Sequence, residues 1–309
     1  TTVLTFWSSS VKCINMLADS DEQGGMFGSL EALRGVSGLI VTTICVSLFN
    51  IFSSDSVKAM GSIVRVVSVI MIVVGVALAL LMPKSNTQEA TNATLLDSIK
   101  AMGVAFKRPI TYVLSGLIFC GSMTLASAAY YAPYLQDYCG MPTEIAVTFT
   151  NYRGIICQLI GASLSALLAT KLKNSSKPMI GAGIIGIVCF LGMILIPASA
   201  AVLWPVMIIT VVASMAVYVF RGLYYATVDE CGTPKNVVGS VIGIASLIGF
   251  LPDTFYTSLC GSWLEADPVG GYRNIFMAAC AAMVLGLVCA FLAERLIRKH
   301  RSSAPASAE

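Results

Sequence analysis

The chain has 309 residues, of which 57% are hydrophobic and only 11% charged, with a formal net charge of +3 at pH 7. This composition excludes an ordinary soluble domain, where about a quarter of the residues are charged, and the lack of a basic tract interleaved with aromatics excludes a nucleic-acid partner. The single histidine, His300, stands in a polar segment, so the sequence predicts no zinc site, and no motif implies another cofactor.

The first eighteen residues resemble the end of a membrane helix whose beginning lies outside this sequence. The chain begins at Thr1 rather than at Met, and a basic region followed by a cleavage site is missing. We therefore do not interpret residues 1–20 as a signal peptide, and we expect the chain to be the interior of a longer polypeptide.

Eight apolar segments are long enough to cross a bilayer, which requires about 20 residues. Residues 109–136 and 178–220 contain no Asp, Glu, Lys or Arg, and the second stretch predicts two helices because Pro197 and Pro205 fall where a hairpin would turn. We expect an all-α polytopic membrane protein. Its predicted spans are residues 30–52, 57–82, 109–136, 143–170, 178–197, 201–228, 235–262 and 272–294.

The longest polar stretch, residues 83–108, separates the first two spans from the last six. It ends in apolar residues at helical spacing, namely Leu95, Ile99, Met102 and Phe106. This spacing predicts an amphipathic helix on the membrane surface, and the alternative is a soluble extension of the next span. The predicted parts are an incomplete N-terminal half (1–82), a linker (83–108), a C-terminal half (109–296) and a tail (297–309).

Basic residues in the loops predict the orientation. If the C-terminus is cytoplasmic, the inner segments hold twelve Lys or Arg residues, whereas the outer segments hold only Lys58 and Arg273. Since cytoplasmic loops carry an excess of Lys and Arg, we expect the C-terminus in the cytoplasm.

Six spans after a long linker are also how the second half of a major facilitator superfamily transporter is arranged. Residues 21–35 contain Asp-Glu-Gln-Gly-Gly, Phe-Gly and Glu-x-x-Arg-Gly, and they resemble the helix 4–5 region of the sugar-phosphate-permease-like branch. Residues 221–234 (Arg-Gly-Leu-Tyr-Tyr-Ala, then Asp-Glu and Pro) and 249–253 (Gly-Phe-Leu-Pro-Asp) resemble helices 10 and 11 of a bacterial group in that branch. The chain is thus similar to helices 5–12 with the end of helix 4.

The resemblance implies a monomeric secondary transporter in a bacterial inner membrane, surrounded by lipid and working by alternating access. Two positions depart from the superfamily's patterns. Thr170 stands where the loop between helices 8 and 9 usually has an aspartate, and residues 35–38 lack the proline of drug antiporters. The second departure argues against multidrug efflux.

Charges within apolar segments are the candidate functional residues, because a charge at mid-bilayer costs about 2.5–3.5 kcal/mol on insertion scales. Arg153 falls near mid-depth of its span and predicts a clamp for a substrate anion, with Asn151 and Gln158 as polar neighbours. A structural ion pair with an acid elsewhere is the alternative. Arg65 is close enough to the outer surface to extend its side chain to water.

Arg221 lies nearer the cytoplasm and predicts a second anion contact or part of an inner gate. Asp229 or Glu230 is its candidate structural partner. Tyr130 and Tyr131 are deep enough to line a substrate cavity, and the alternative for them is an interfacial aromatic belt.

Asp253 follows a proline inside an otherwise uncharged span. A buried carboxylate can exchange a proton, which predicts proton coupling, and a fixed salt bridge to Arg153 or Arg221 is an equal alternative. Glu31 and Arg34 are one helical turn apart, and the resemblance implies that they act as a gate or structural pair between the two halves.

These observations predict a secondary transporter for a small organic anion such as a phosphorylated or acidic sugar. A membrane sensor of the same solute, or a permease for a neutral solute with both arginines in structural pairs, are the alternatives. We do not expect an enzyme: residues 35–38 match the serine motif of rhomboid proteases by letter, but the histidine base would have to lie in the membrane.

Overall fold

A computed structural model describes residues 23–51, 56–81, 95–197 and 199–303. All regular structure in these ranges is helical, which confirms the predicted all-α class. The α-helices are α1 (Gln23–Ile51), α2 (Ser56–Leu81), α3 (Leu95–Lys107), α4 (Pro109–Ser127), α5 (Tyr131–Asp137), α6 (Thr143–Leu172), α7 (Ser176–Leu195), α8 (Leu203–Arg221), α9 (Thr227–Glu230), α10 (Lys235–Gly249), α11 (Pro252–Ala266) and α12 (Gly270–Ser303). The helix end predicted in residues 1–18 lies outside the described residues.

Six helical segments of the described chain are long and apolar enough to cross a membrane, whereas the sequence predicts eight. They are Pro109–Asp137, Thr148–Leu172, Ser176–Leu195, Ala200–Glu230, Val237–Ala266 and Gly270–Ser302. The other two predicted spans are α1 and α2, with 29 and 26 residues. Both are long enough for about 30 Å of hydrocarbon, and the runs of these helices whose side chains the structure describes without a gap, Ala32–Cys45 and Gly61–Ala77, are apolar.

Three predicted spans contain an interruption rather than one continuous helix. Two of these interruptions stand beside a proline, which cannot donate a backbone hydrogen bond. Before Pro133 the chain tightens into a 3-10 turn, Ala128–Tyr130. Before Pro252 the Leu251 amide donates to the Ile248 carbonyl at 3.2 Å, replacing the bond that the proline cannot make. The third interruption follows Arg221, where a 3-10 turn, Tyr224–Ala226, leads into α9.

The amphipathic segment of the linker is the helix α3. It packs against α10, and Met102 and Phe106 are exposed on its outer side. Arg108 has an extended conformation (φ −86°, ψ 126°), as expected for a residue before proline, so α3 and α4 are separate helices. The side chains of Leu95 and Ile99 and residues 82–94 lie outside the described part of the chain.

The segments from α4 to α12 form a bundle in which α4 contacts α8, α10, α11 and α12. The helix α7 packs against α8 and α12, and α6 packs against α8 on one side and α1 on the other. The α1–α6 contact therefore joins the N-terminal helices to the bundle. The last helix continues to Ser303 and so includes the first seven residues of the predicted tail, 297–303.

Candidate functional site

Three charged side chains from different helices line one cavity of about 260 Å³: Arg34 of α1, Arg221 of α8 and Asp253 of α11. The remaining lining residues are Ser122, Leu125, Ala126 and Phe250. The Asp253 carboxylate lies in the electrostatic field of Arg221. The structure thus brings together Arg221 and Asp253, for which the sequence predicts substrate and proton roles, with Arg34, for which it predicts gating.

Local structure explains how two of these charges reach the cavity. The interruption at residues 250–251 places Asp253 in the first turn of α11. Arg221 is the last residue of α8, and its side chain crosses Gly121 of α4, where an added Cβ would lie 3.4 Å from the arginine Cγ. The aliphatic stem of Arg221 therefore packs against α4 at Gly121.

Arg153 occupies a different environment, inside the bundle between α5, α6 and α8. It is only 6% exposed. Its Nη1 donates to the Thr210 carbonyl oxygen at 3.3 Å and, at shorter range, to the Ser214 hydroxyl. Its guanidinium carbon lies 4.5 Å from the centre of the Tyr131 ring, a cation–π contact.

In the part of the chain that the structure describes, no carboxylate forms an ion pair with Arg153; its ionisable neighbours are Tyr131, Cys157 and Tyr218. The Nε of Arg153 and the hydroxyl of Tyr131 are both buried, and neither has a hydrogen-bond partner among the described residues. The cluster therefore holds a positive charge and keeps unused donors. Such buried donors are costly unless a ligand, water or ion satisfies them.

The remaining predicted substrate residues lie apart from both clusters. Tyr130 donates its hydroxyl to the Thr257 carbonyl of α11 at 3.2 Å. Asn151 lines a second cavity of about 400 Å³ between α1 and α6, whose polar lining is uncharged: Thr42, Thr43, Ser47, Thr148, Asn151 and Tyr152. Gln158 lies at the α1–α6 contact, where a Cβ added to Gly35 would lie 3.3 Å from its Cγ.

The acids predicted as gate residues lie beyond the C-terminal end of α8, in the short helix α9. Glu230 accepts hydrogen bonds from the Ser175 amide at 3.0 Å and from the Ser175 hydroxyl at 2.6 Å. Asp229 is half-buried beside it in α9. The side chain of Glu31 lies outside the described residues, so its relation to Arg34 stays a prediction.

Sequence reasoning missed the two hydrogen-bonding partners of Arg153, Thr210 and Ser214. They stand four residues apart in the apolar helix α8, and both are buried. Ser214 contacts Arg153 through its hydroxyl, whereas Thr210 accepts through its main-chain carbonyl oxygen. The hydroxyl of Ser214 in an apolar helix was therefore the usable signal, and it does not identify the facing helix.

Comparisons with known proteins agree with this architecture. The sequence profile of the Major Facilitator Superfamily matches residues 3–255, most of the chain. The chain is 29% identical to the inner membrane protein YqcE of Escherichia coli K12 over 318 residues, covering all of this chain and 73% of that protein. It is 22% identical to the inner membrane protein YihN of the same organism over 308 residues, covering 98% of this chain and 73% of that protein. This multi-pass helical membrane protein belongs to the Major Facilitator Superfamily.

Proposed function

We propose that this superfamily transporter moves a small organic anion, such as a phosphorylated or acidic sugar, and binds it in the cavity lined by Arg34, Arg221 and Asp253. Membership of the superfamily makes the chain a transporter rather than an enzyme. The observation that carries the anionic substrate is the convergence of two guanidinium groups and one carboxylate within a membrane segment. Arginine suits this task because its planar fork of N–H donors fits carboxylate and phosphate oxygens.

The charge of the cavity favours an anion. Two arginines and one ionised aspartate give the three charged lining residues a formal sum of +1. A bound monoanion brings the sum over these three residues to zero, which favours an anion in a medium of low dielectric constant.

Protonation of Asp253 would couple the anion to a proton. When this carboxylate takes up a proton, the sum over the three residues rises to +2, so the cavity attracts an anion more strongly. By thermodynamic linkage, a bound anion raises the proton affinity of Asp253 by the same factor. Proton and anion therefore bind together, which is the property that a symporter requires.

Arg153 is a second proposed anion contact, deeper in the C-terminal half. One of its nitrogens is held by Thr210 and Ser214, but its Nε keeps an unused donor, and the Tyr131 hydroxyl beside it is unpaired as well. An anion that entered this region would satisfy both groups. The hydroxyl- and amide-lined cavity around Asn151 suits the uncharged, hydroxyl-bearing part of a sugar-like solute.

We infer the orientation in the membrane from the distribution of Lys and Arg residues in the loops. With the C-terminus in the cytoplasm, twelve Lys or Arg residues face inward and two face outward. The helices before residue 83 then belong to one half of the transporter and α4 to α12 to the other, and the halves rock about the cavity between them. We expect the inner membrane as the location and a monomer as the functional unit.

The test is thermal stabilisation of the full-length protein in detergent by a panel of sugar phosphates, sugar acids, sulfonates and neutral sugars. A ligand at 100 times its dissociation constant stabilises by about 2.7 kcal/mol, which this assay detects. We expect anions to stabilise the protein and Arg221→Gln to remove the effect. Stabilisation by neutral sugars alone would overturn the anionic substrate.

A further inference from the structure

A groove on the outside of the bundle, formed by α6, α7 and α8, has an apolar floor and a basic end. Its volume is about 370 Å³, and its walls include Leu164, Leu168, Ile185, Val212 and Met215. It shares no residue with the cavity lined by Arg34, Arg221 and Asp253. Leu164, Ile185 and Val212 in its walls are exposed, so the groove is an exposed apolar surface of the kind that faces lipid in a membrane protein.

The charged end of this groove is Lys177, which itself lines it. Lys171 in the last turn of α6 and Lys173 at its C-cap stand nearby in sequence, and all three side chains are exposed. The loop between these helices is held in place, since Arg301 donates to the Lys173 carbonyl oxygen. Within the described residues, none of the three lysines takes part in an ion pair.

The acids near this loop are held by other groups and do not line the groove. Glu230 is held by Ser175, and Glu294 accepts hydrogen bonds from Asn174 at 2.7 Å and from Arg298 at 2.6 Å. Glu294 is buried. The basic side chains are therefore the charges that this end of the bundle presents to the membrane surface.

We propose that the α6–α7–α8 groove binds one anionic phospholipid, with an acyl chain along the apolar walls and the headgroup phosphate at Lys177, supported by Lys171 and Lys173. Charge complementarity selects the headgroup, because basic side chains near a membrane surface attract anionic lipids. The apolar walls behind the lysines favour a lipid over a free phosphate, because an acyl chain buries apolar surface in the groove and a phosphate ion has none to bury.

Gly181 makes the groove testable without disturbing the fold. It lines the groove, it is exposed, and a Cβ built on it meets nothing within 4 Å. Gly181→Leu therefore extends an apolar side chain into the groove from a position where its Cβ meets no other atom within 4 Å. Gly75 of α2 is also exposed with nothing within 4 Å of an added Cβ, so Gly75→Leu is a matched control. Lys235 is an exposed lysine outside the groove, and Lys235→Gln controls for loss of charge.

The experiment measures binding of phosphatidylglycerol and of phosphatidylcholine with the same acyl chains to the full-length protein in detergent. Native mass spectrometry counts bound lipids, and the melting temperature reports folding. We expect one retained phosphatidylglycerol, about fivefold weaker binding in Lys177→Gln, and loss of the lipid in Gly181→Leu, with both controls like the wild type. Inorganic phosphate should change the melting temperature of the wild type and of Gly181→Leu by the same amount.

Equal retention of the two lipids would overturn the headgroup preference and with it the proposal. Wild-type retention of phosphatidylglycerol in Gly181→Leu would place the lipid elsewhere and overturn it as well. Because the lipid-free melting temperature is measured for every variant, a folding defect is recognised separately. Lipid binding is measured without the transported solute, so this experiment tests the lipid site independently of the proposed transport function.

Discussion

The membrane arginines occupy two contrasting environments, which gives them different expected roles. Arg221 lines an open cavity together with another arginine and an aspartate. Arg153 is enclosed, stacked on an aromatic ring and bound to a hydroxyl and a carbonyl. Arg221 therefore lines space that a solute could occupy, whereas Arg153 also contributes to the packing of the bundle.

Arg221→Gln should raise the Michaelis constant for the anion by about tenfold or more. A hydrogen bond to a charged group contributes about 1.5–3 kcal/mol, and each 1.4 kcal/mol is a factor of ten in affinity. Uptake into proteoliposomes measures the constant. Arg273→Gln, at an exposed arginine outside the cavity, serves as the control and should behave like the wild type. Equal Michaelis constants for Arg221→Gln and wild type would contradict an anion contact at this residue.

Arg153→Ala should change two measured quantities together, the melting temperature and the Michaelis constant. The melting temperature falls because the substitution removes the cation–π contact with Tyr131 and leaves a space in the bundle. The Michaelis constant rises because the proposed anion contact is lost. Ser214→Ala removes only a hydrogen-bonding partner of the arginine, so it should lower stability by about 1 kcal/mol and leave the Michaelis constant within about threefold.

If Ser214→Ala and Arg153→Ala reduce stability alone and leave uptake unchanged, Arg153 is a packing residue. Such a result would mean that Arg153 stabilises the bundle and does not bind substrate. A rise in the Michaelis constant limited to Arg153→Ala supports the deeper contact.

Residue-scale roles were partly predictable from the sequence. An arginine or aspartate inside an apolar run is visible in the sequence because its insertion cost demands a polar environment. The convergence of Arg34 with Arg221 and Asp253 was not visible, because it depends on how three helices far apart in sequence pack together. Pro252 is a sequence signal for the interruption at residues 250–251, although the span predicted there is continuous. No proline marks the interruption that follows Arg221.

At the scale of elements, close helix contacts depend on glycines with defined neighbours. A Cβ added to Gly161 of α6 would lie 3.1 Å from the Met215 carbonyl oxygen and 3.0 Å from the Cβ of Tyr218, both in α8. The helices meet here backbone to backbone. This contact lies two turns from Arg153 on the same pair of helices, so the spacing between α6 and α8 also affects the position of the guanidinium.

Gly161→Ala should therefore destabilise the protein, while Gly154→Ala in the same helix should not. The first substitution forces two helices apart and costs about 1–3 kcal/mol, as overpacking does. The second places its methyl group where nothing lies within 4 Å, and alanine is favoured over glycine in a helix by about 0.5–1 kcal/mol. Melting temperatures in detergent measure the difference. A lower melting temperature for Gly154→Ala than for Gly161→Ala would contradict this description of the contact.

At the scale of the whole molecule, transport requires that both halves respond to the bound solute. Arg34 belongs to the N-terminal helices, whereas Arg221 and Asp253 belong to the bundle from α4 to α12. A solute bound among these three residues therefore contacts both halves at once. In the proposed cycle, an anion and a proton that bind together would change the charge between the halves, and this change would give alternating access an electrostatic cause.

Asp253→Asn should separate binding from coupling. Asparagine imitates the protonated aspartate, so the variant keeps the +2 sum of the cavity at every pH. In the wild type the anion should bind more tightly as the pH falls, since protonation removes a negative charge from the cavity, and a coupling factor of about tenfold is typical. In Asp253→Asn the affinity for the anion should be the same at every pH and equal to the high affinity of the wild type at low pH. Thermal stabilisation by the anion between pH 5 and 8 measures this dependence.

Uptake into proteoliposomes then tests the consequence for transport. An inward proton gradient should accelerate uptake by the wild type, and it should have no effect on Asp253→Asn, which releases no proton. Asp267→Asn, at an exposed aspartate beyond the end of α11, should respond to the gradient like the wild type. If Asp253→Asn still responds, another group carries the proton, and Asp253 acts only as the fixed partner of Arg221. The anion would then be balanced by the arginines alone, and the driving force would have to come from the solute gradient or from a different ion.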